Sequence, residues 1–515
     1  MLRIPDTKKV NREVTMQEEK TMNKRIFSTV CGVVLAASLF TACGGTAPAG
    51  SSDSGNAGAA DSNANAGSDA AAPAASSSGF KRIADIDAAA LKGTSITLYT
   101  HGGNRVLGEE KKDENGNTYR DESYAYMKHV AERFEEEYGI HVDLQVNSTE
   151  DDIRPLLQTN DPGIDIYTSP NWSIEEWQQY AIPYCTLDEA KELYGDYATT
   201  MVNDGTNVYS LMPAKTYNNA VVYNEETIKK VGYDSIPTTQ AEFENLCQAL
   251  RDAGIDPIAM HRVENWPLST INDFANYVAG SNDAYPSMLK SDEPFSESHP
   301  MGKTIRMYTD WKSRGFFEAD TYTDFGVAMD VVGNGKAGMM LFGAWVVPQI
   351  QGRCPEGTDP SVIKFAPAPD FGKGQYVMAS AADGYSISKG CDNVDAARLF
   401  IEYMSEDAQY LADSGYIANK KGVEPIVPPL YDIIDKAVEA GTCKVLYTYA
   451  TDQNSINNEN VLTEANLLAD VKYAGNLFDA LDVTKQPDWS AYDAQVEKQN
   501  KAYVEAREDL GVSWQ

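Results

Sequence analysis

The sequence predicts an α/β protein, and three observations carry that expectation. Strand-like segments alternate with helix-like ones from about residue 96 onward, the helix-like segments each show one apolar face, and glycines follow their ends. Such alternation implies parallel βαβ units. With 515 residues, 42% hydrophobic and 23% charged, the chain has the composition of a globular protein and room for two or more domains.

Residues 1–42 read as a leader. The apolar run Ile26–Phe40 follows Lys24 and Arg25 and falls short of the roughly 20 residues a spanning helix needs. Phe40-Thr41-Ala42-Cys43 resembles a bacterial lipobox, with Phe40 in place of the usual Leu, so Cys43 is the expected lipidation site. Met22-Asn23-Lys24-Arg25 already makes a complete signal start, and Met1, Met16 and Met22 all stand as starts. Removing residues 1–42 takes 7 basic and 4 acidic residues away, changing the net charge from −33 to −36. That charge argues against nucleic acid as a partner, because phosphate contacts need Lys and Arg clusters.

Residues 43–79 form the lipidated cysteine and a Gly/Ala/Ser linker. Gly44–Gly79 lacks any large apolar side chain and cannot build a core. As a flexible coil it would span roughly 30 to 35 Å, a tether between membrane and folded body. Beyond Cys31 and Cys43 there are five cysteines, 185, 247, 354, 391 and 443, without CxxC spacing. Neither a zinc site nor a dense disulfide framework follows, and no metal or cofactor is expected.

The body begins near Phe80. Ile96–Tyr99 reads as a strand before a loop His101-Gly102-Gly103-Asn104, and Met127, Val130, Ala131, Phe134 and Tyr138 recur at helical spacing up to a stop at Gly139. Val142, Leu144 and Val146 alternate as in a strand, and Asp165–Thr168 reads as another. Thr239-Gln240-Ala241-Glu242 fits a capping box for a helix with Phe243, Leu246, Cys247 and Leu250 on one face. A further helix starts near Val394.

Several segments in order resemble the extracellular solute-binding proteins of carbohydrate ABC transporters, the maltose-binding-protein-like group. Leu211-Met212-Pro213 through Val222-Tyr223-Asn224-Glu225 to Gly232 and Pro237-Thr238-Thr239 is similar to that family's Pro, "YN", "G", "PPTT" run, with Ile236 replacing one Pro. Gly335–Met340 with Gly343-Ala344-Trp345 is similar to its "GKAAM…GxW" pattern. Ala366-Pro367-Ala368-Pro369, Asp383–Ser388 and the Ala396–Ile401 helix complete the match, with Asp383-Gly384 where relatives often have Gly-Gly.

The resemblance implies a two-lobed periplasmic-binding-protein-like fold with hinge crossovers and C-terminal helices. Lobe 1 is expected over 80–214 and 386–425, and lobe 2 over 215–385 and 426–515. Crossings are expected near 214–220 and 379–385, with a third near Glu424–Pro429. It also implies a surface-anchored, monomeric, extracytoplasmic protein that binds a sugar or oligosaccharide between its lobes and hands it to membrane permease subunits.

A sugar offers an apolar face and a rim of hydroxyls, so flat aromatic rings beside Asp, Asn, His or Glu suit it. Asn171 and Trp172 follow one strand, and His101 and Asn104 follow another, where α/β sheets hold their ligands. Trp345 of the "GxW" turn is the leading stacking candidate. Tyr217 and Asn218 lie in the first crossover, and Asp383 and Gly384 in the second. His261 and Glu264 precede Trp266-Pro267-Leu268, a stretch that is mainly structural in the family. Core or loop packing is the competing reading for each.

The competing functions are a surface glycoside hydrolase, a binder of a non-sugar solute such as a polyol, and an adhesin. Catalytic signatures are missing: there is no HExxH and no P-loop, and Gly384–Ser388 lacks the second glycine of a nucleophile elbow.

Overall fold

Strand β1, Ser95–His101, buries Ile96, Leu98 and Thr100 completely, every second residue, as a half-covered sheet requires. The structure is a computed structural model that describes residues 81–101, 103–112, 117–122, 124–147, 153–159, 163–168, 172, 174–261, 266–317, 322, 324–381, 384–423, 429–447, 453–481 and 489–514. The expected leader, Cys43 and the linker lie outside the described residues, as do residues 424–428 of the third expected crossing, Glu424–Pro429.

Helix α1, Tyr126–Tyr138, buries Met127, Val130, Ala131 and Phe134. Gly139 closes it at φ 67°, a left-handed turn that glycine enters without steric cost. β2, His141–Asn147, and β3, Ile166–Thr168, lie parallel on either side of β1, pairing Val142 with Ile96 and Ile166 with Leu98. One expectation changes here. β1 runs on through His101, and Gly103–Leu107 is a short helix where a loop is expected, because Val106 seats in the adjoining core.

After α2, Ile174–Tyr180, and β4, Ala181–Ile182, the chain reaches β5, Ala214–Asn218, which leads into β6, Ala220–Asn224. Helix α3, Gln240–Asp252, starts at Thr239, whose hydroxyl accepts from the Glu242 amide and donates to the Glu242 carboxylate at 3.0 Å. Its buried face is Phe243, Leu246, Cys247 and Leu250, of which Phe243, Leu246 and Leu250 each contribute roughly 1.5–3 kcal/mol of transfer free energy. There follow β7, Asp256–Ile258, α4, Thr270–Ala279, α5, Pro300–Ser313, α6, Phe325–Gly333, and β8, Ala337–Phe342.

Helix α7, Val346–Gln351, precedes β9, Ile363–Ala366, β10, Gln375–Ala381, and β11, Tyr385–Ser388. Helix α8, Val394–Met404, β12, Ile417–Ala418, α9, Asp432–Glu439, and β13, Cys443–Tyr447, come next. Helices α10, Gln453–Glu464, α11, Lys472–Ala480, and α12, Trp489–Leu510, end the described chain.

These strands make three sheets. The first has the order β2-β1-β3-β11-β4, the second β7-β8-β6-β9, and a third β12-β5-β10-β13. The strictly parallel arrangement expected from the alternation is only partly realised. β11 runs antiparallel to β3 and β4, because it enters the first sheet from β10 in the opposite sense.

The buried side chains among the described residues fall into three clusters. One core takes Ile96, Val130, Phe134, Ile166 and Trp177 from the N-terminal part and Ile387, Phe400 and Tyr410 from beyond β11. The second sheet is covered on both faces. Val221, Tyr223, Met339 and Leu341 point into one cluster, while Ala220, Val222, Met340 and Phe342 point into another. That double covering explains why Ala337–Phe342 is apolar throughout rather than alternating. The C-terminal helices add Val461, Leu477, Phe478 and Tyr503 to the first of those two clusters.

The five cysteines of the body are free thiols, with Cys185, Cys247 and Cys443 buried. Among the described residues no cluster of His, Cys, Asp and Glu suits a metal ion, and no helix is long and apolar enough to cross a membrane.

Candidate ligand-binding site

The carboxyl end of β8 turns sharply at Gly343-Ala344 into α7, and Trp345 sits at that helix's start. Gly343 is required by close approach. A Cβ there would lie 2.6 Å from the Trp345 indole and 3.0 Å from the Asn218 side-chain oxygen. The missing methyl therefore lets the indole lie against the turn and next to Asn218. The turn is tied to β5 by the Ala344 amide, which donates to the Tyr217 carbonyl at 2.9 Å.

Trp345 is one member of a four-ring cluster. Its ring lies 5.9 Å from Phe325 and 5.5 Å from Phe342, and Trp266 lies 5.0 Å and 5.5 Å from the same two phenylalanines. Two indoles thus share one apolar base. Trp266 is 40% exposed and Trp345 partly so, whereas Phe342 is buried. Exposed indole faces on a rigid aromatic base offer apolar area at small entropic cost. A small cavity beneath is lined by Met260, His261, Pro267, Phe325 and Phe342 among others.

Polar groups adjoin the rings. Asn218 on β5 donates to the Ser380 hydroxyl on β10 at 2.6 Å, and both residues are partly exposed. The pair brings an amide and a hydroxyl, donors and acceptors together, to the edge of the Trp345 turn.

The expected residues fall into separate groups. Trp345 and Asn218 come together as described. Tyr217 is 7% exposed; its ring meets Tyr431 edge-on at 5.2 Å and its hydroxyl donates to Asp435. Burial, helped by Asp435, pushes that phenol above its ordinary range. His261 is 2% exposed beneath the aromatic cluster, with Nδ1 3.3 Å from the Tyr322 carbonyl oxygen.

Trp172 departs furthest from a lining role. It is 5% exposed and packs on Trp177, Tyr180 and Tyr167 at 5.1, 5.5 and 5.9 Å, with the Arg154 guanidinium over its ring at 4.9 Å. Three aromatic neighbours on α2 and β3 draw it into the first core. Gly384 is buried just before β11. His101 closes β1 and Asn104 lies in the Gly103–Leu107 helix, both described by backbone alone. Asn171, Glu264 and Asp383 lie outside the described residues.

Sequence reasoning missed Trp266, Phe325, Phe342 and Ser380. The family-like "WPL" stretch reads as structural, and Pro267 and Leu268 are indeed buried, but Trp266 is turned outward onto Phe325. The available signal was the composition of the stretch: a tryptophan directly before a proline.

Comparison with known proteins agrees with this architecture. Residues 117–410 match the model of the bacterial extracellular solute-binding protein family. No curated protein matches. Among solved structures, BlMnBP1 of Bifidobacterium animalis subsp. lactis, an ABC transporter binding protein in complex with mannobiose, is 21% identical and superposes at TM-score 0.66, covering 84% of this chain and all of that one. The manno-oligosaccharide-specific BlMnBP2 from the same organism, with mannotriose, is 20% identical at TM-score 0.64, covering 84% and 97%. The sugar-binding protein MalE of Xanthomonas citri is 18% identical at TM-score 0.53, covering 82% and 100%. With more than half its length matched by the family model, the chain belongs to the bacterial extracellular solute-binding proteins.

Proposed function

We propose that this chain is the surface-anchored substrate-binding component of a carbohydrate ABC importer. It captures a sugar or oligosaccharide between its lobes and presents it to the membrane permease. The observation that carries the reading is the pair of outward-facing indoles, Trp345 and Trp266, on one base of Phe325 and Phe342, with the Asn218–Ser380 pair at its edge. Flat apolar faces beside neutral donors and acceptors match the two surfaces of a pyranose. The mannobiose and mannotriose complexes of the similar proteins support the same ligand class.

In this reading Trp345 stacks on one sugar ring and Asn218 and Ser380 engage its hydroxyls. Strands β5 and β10 serve as crossings between lobe 1, 80–214 with 386–425, and lobe 2, 215–385 with 426–515. Acyl chains on Cys43 hold the protein at the outer face of the membrane, and residues 44–79 act as its tether. A single copy works, without a cofactor and without turnover of the sugar.

The test is calorimetry over a panel of mono- and oligosaccharides with the wild type and Trp345→Ala. Binding by the wild type, with recovery of intact sugar and an affinity loss of about tenfold in the variant, is the expected result; tenfold corresponds to about 1.4 kcal/mol, the size of an aromatic contact. Shorter sugars recovered after incubation would make it a hydrolase instead. An unchanged affinity removes Trp345 from the site. For the anchor, Cys43→Ala should move the protein from the membrane fraction to the medium.

A further inference from the structure

The two crossing strands are joined by more than their own ladder. β5 and β10 pair antiparallel, Thr216 opposite Ser380 and Asn218 opposite Met378. Where β5 passes into β6, Asn219 takes a left-handed conformation at φ 42°, a strained position for any residue with a side chain and one that asparagine tolerates best. Helix α4 of the second lobe meets this point with two side chains one turn apart.

The Tyr277 hydroxyl shares its proton between the Asn219 carbonyl at 2.9 Å and the Asn218 carbonyl at 3.2 Å, and it accepts from the Met378 amide at 2.8 Å. A single buried oxygen therefore bonds both crossing strands. Its ring is held independently, stacked on Tyr376 at 6.4 Å and 7° and packed on Phe274 at 5.4 Å. One turn earlier, the Asp273 carboxylate accepts from the Asn219 amide at 2.7 Å, which secures the left-handed residue itself.

We propose that Tyr277, supported by Asp273, is a hinge latch: it clamps the second-lobe ends of both crossing strands onto α4, so that opening and closing bend only at their first-lobe ends. Tyr277 is a positioning residue that touches no ligand. The inference rests on the proposed function in taking β5 and β10 as the lobe crossings and lobe closure as the binding step. Its physical content is entropic. Strands clamped at one end have fewer open conformations, so the empty protein loses less freedom when a ligand closes it. Releasing the clamp multiplies the open states and weakens binding without changing a ligand contact.

Tyr277→Phe keeps the ring and removes the hydroxyl. The comparison variant is Phe274→Leu, which loosens the same core and leaves the strand bonds intact. Two readouts are taken for each: pulsed-EPR distances between nitroxide labels on α1 and α12, and calorimetric affinity for whichever sugar the wild type binds. Tyr277→Phe should broaden the sugar-free distance distribution, return to the wild-type distance at saturating sugar, and lose affinity by about 3- to 10-fold, the factor by which the freed strands multiply the open states. Phe274→Leu should lower the melting temperature with both readouts at wild-type values. If Tyr277→Phe behaves like Phe274→Leu, the latch is overturned and the hydroxyl is only a stabilising contact. A wild type that binds no sugar in the panel defeats the proposed function instead, and the sugar-free distances still decide the latch.

Discussion

Asp273 allows a prediction whose size follows from the structure. The carboxyl is half-buried on α4, and burial pushes it up to about 6, against the opposing effect of the Asn219 hydrogen bond. The side chains electrostatically coupled to it are Tyr277, Tyr308 and Tyr473, all phenols driven further from ionisation by their own burial. Relative to an ordinary 3.8, a carboxyl at about 6 carries a penalty of about 3 kcal/mol for its ionised form. Between these two values the folded protein keeps a proton that the unfolded chain has released. Stability from this group is therefore highest below about 4, falls as pH rises to about 6, and stays low above it. Asp273→Asn retains an oxygen for the Asn219 amide and carries no charge. Thermal unfolding of both proteins, without ligand, from pH 4 to 8 isolates the difference. The variant should match the wild type near pH 4 and exceed it at pH 7.5 by up to about 3 kcal/mol, with the gain developing between pH 4 and 6. A difference independent of pH, or a variant less stable at pH 7.5, would refute the assignment of a raised carboxyl at this position.

Three further substitutions probe the site and the scaffold. Gly343→Ala places a methyl 2.6 Å from the Trp345 indole, so calorimetry should show a sugar affinity loss of about tenfold although the ring is still present. Trp266→Ala removes the more exposed of the two indoles, and affinity should fall more for a trisaccharide than for a monosaccharide, with little change in the melting curve of the empty protein. Thr239→Ala deletes the cap of α3 and should cost about 1 kcal/mol in urea unfolding with sugar affinity unchanged.

What could be read from the sequence was whatever local chemistry decides. The capping box at Thr239, the buried stripe from Phe243 to Leu250 and the stop at Gly139 are recorded in neighbouring residues, and the structure has them in place. The position of Trp172 was not legible. An aromatic after a strand suits a binding loop or a core equally well, and what decides it is the company of Trp177, Tyr180 and Arg154, brought together only by the fold. Trp266 failed in the opposite sense. Its neighbours Pro267 and Leu268 are buried, and nothing local says that the indole itself turns away from them toward Phe325, some 60 residues further along the chain. The mixed strand directions were equally hidden, since a chain that leaves one sheet and returns to it later in the opposite sense has no local signature.

In the proposed function the site and the hinge are one piece of structure rather than two connected ones. The Ala344 amide bonds the Tyr217 carbonyl, so the turn that carries Trp345 hangs directly on β5. The next residue on that strand, Asn218, faces the turn with its side chain and reaches Ser380 on β10, while its carbonyl is held by Tyr277. On that reading, force applied to Trp345 by a stacked sugar would need no relay to reach β5 and β10. The same closeness explains the side-chain choices at this point. A bulkier residue at 343 would push the indole from Asn218, and a residue other than asparagine, aspartate or glycine at 219 would strain the step from β5 to β6. Because these constraints are shared, substitutions here should change affinity and lobe geometry together, whereas a change on the outer indole, Trp266, which lies on the far side of Phe325 and Phe342 in the bonding pattern, should change affinity alone. Measuring both quantities on Gly343→Ala and Trp266→Ala separates the two behaviours, and identical effects on lobe distance in the two variants would break the link between this turn and the hinge.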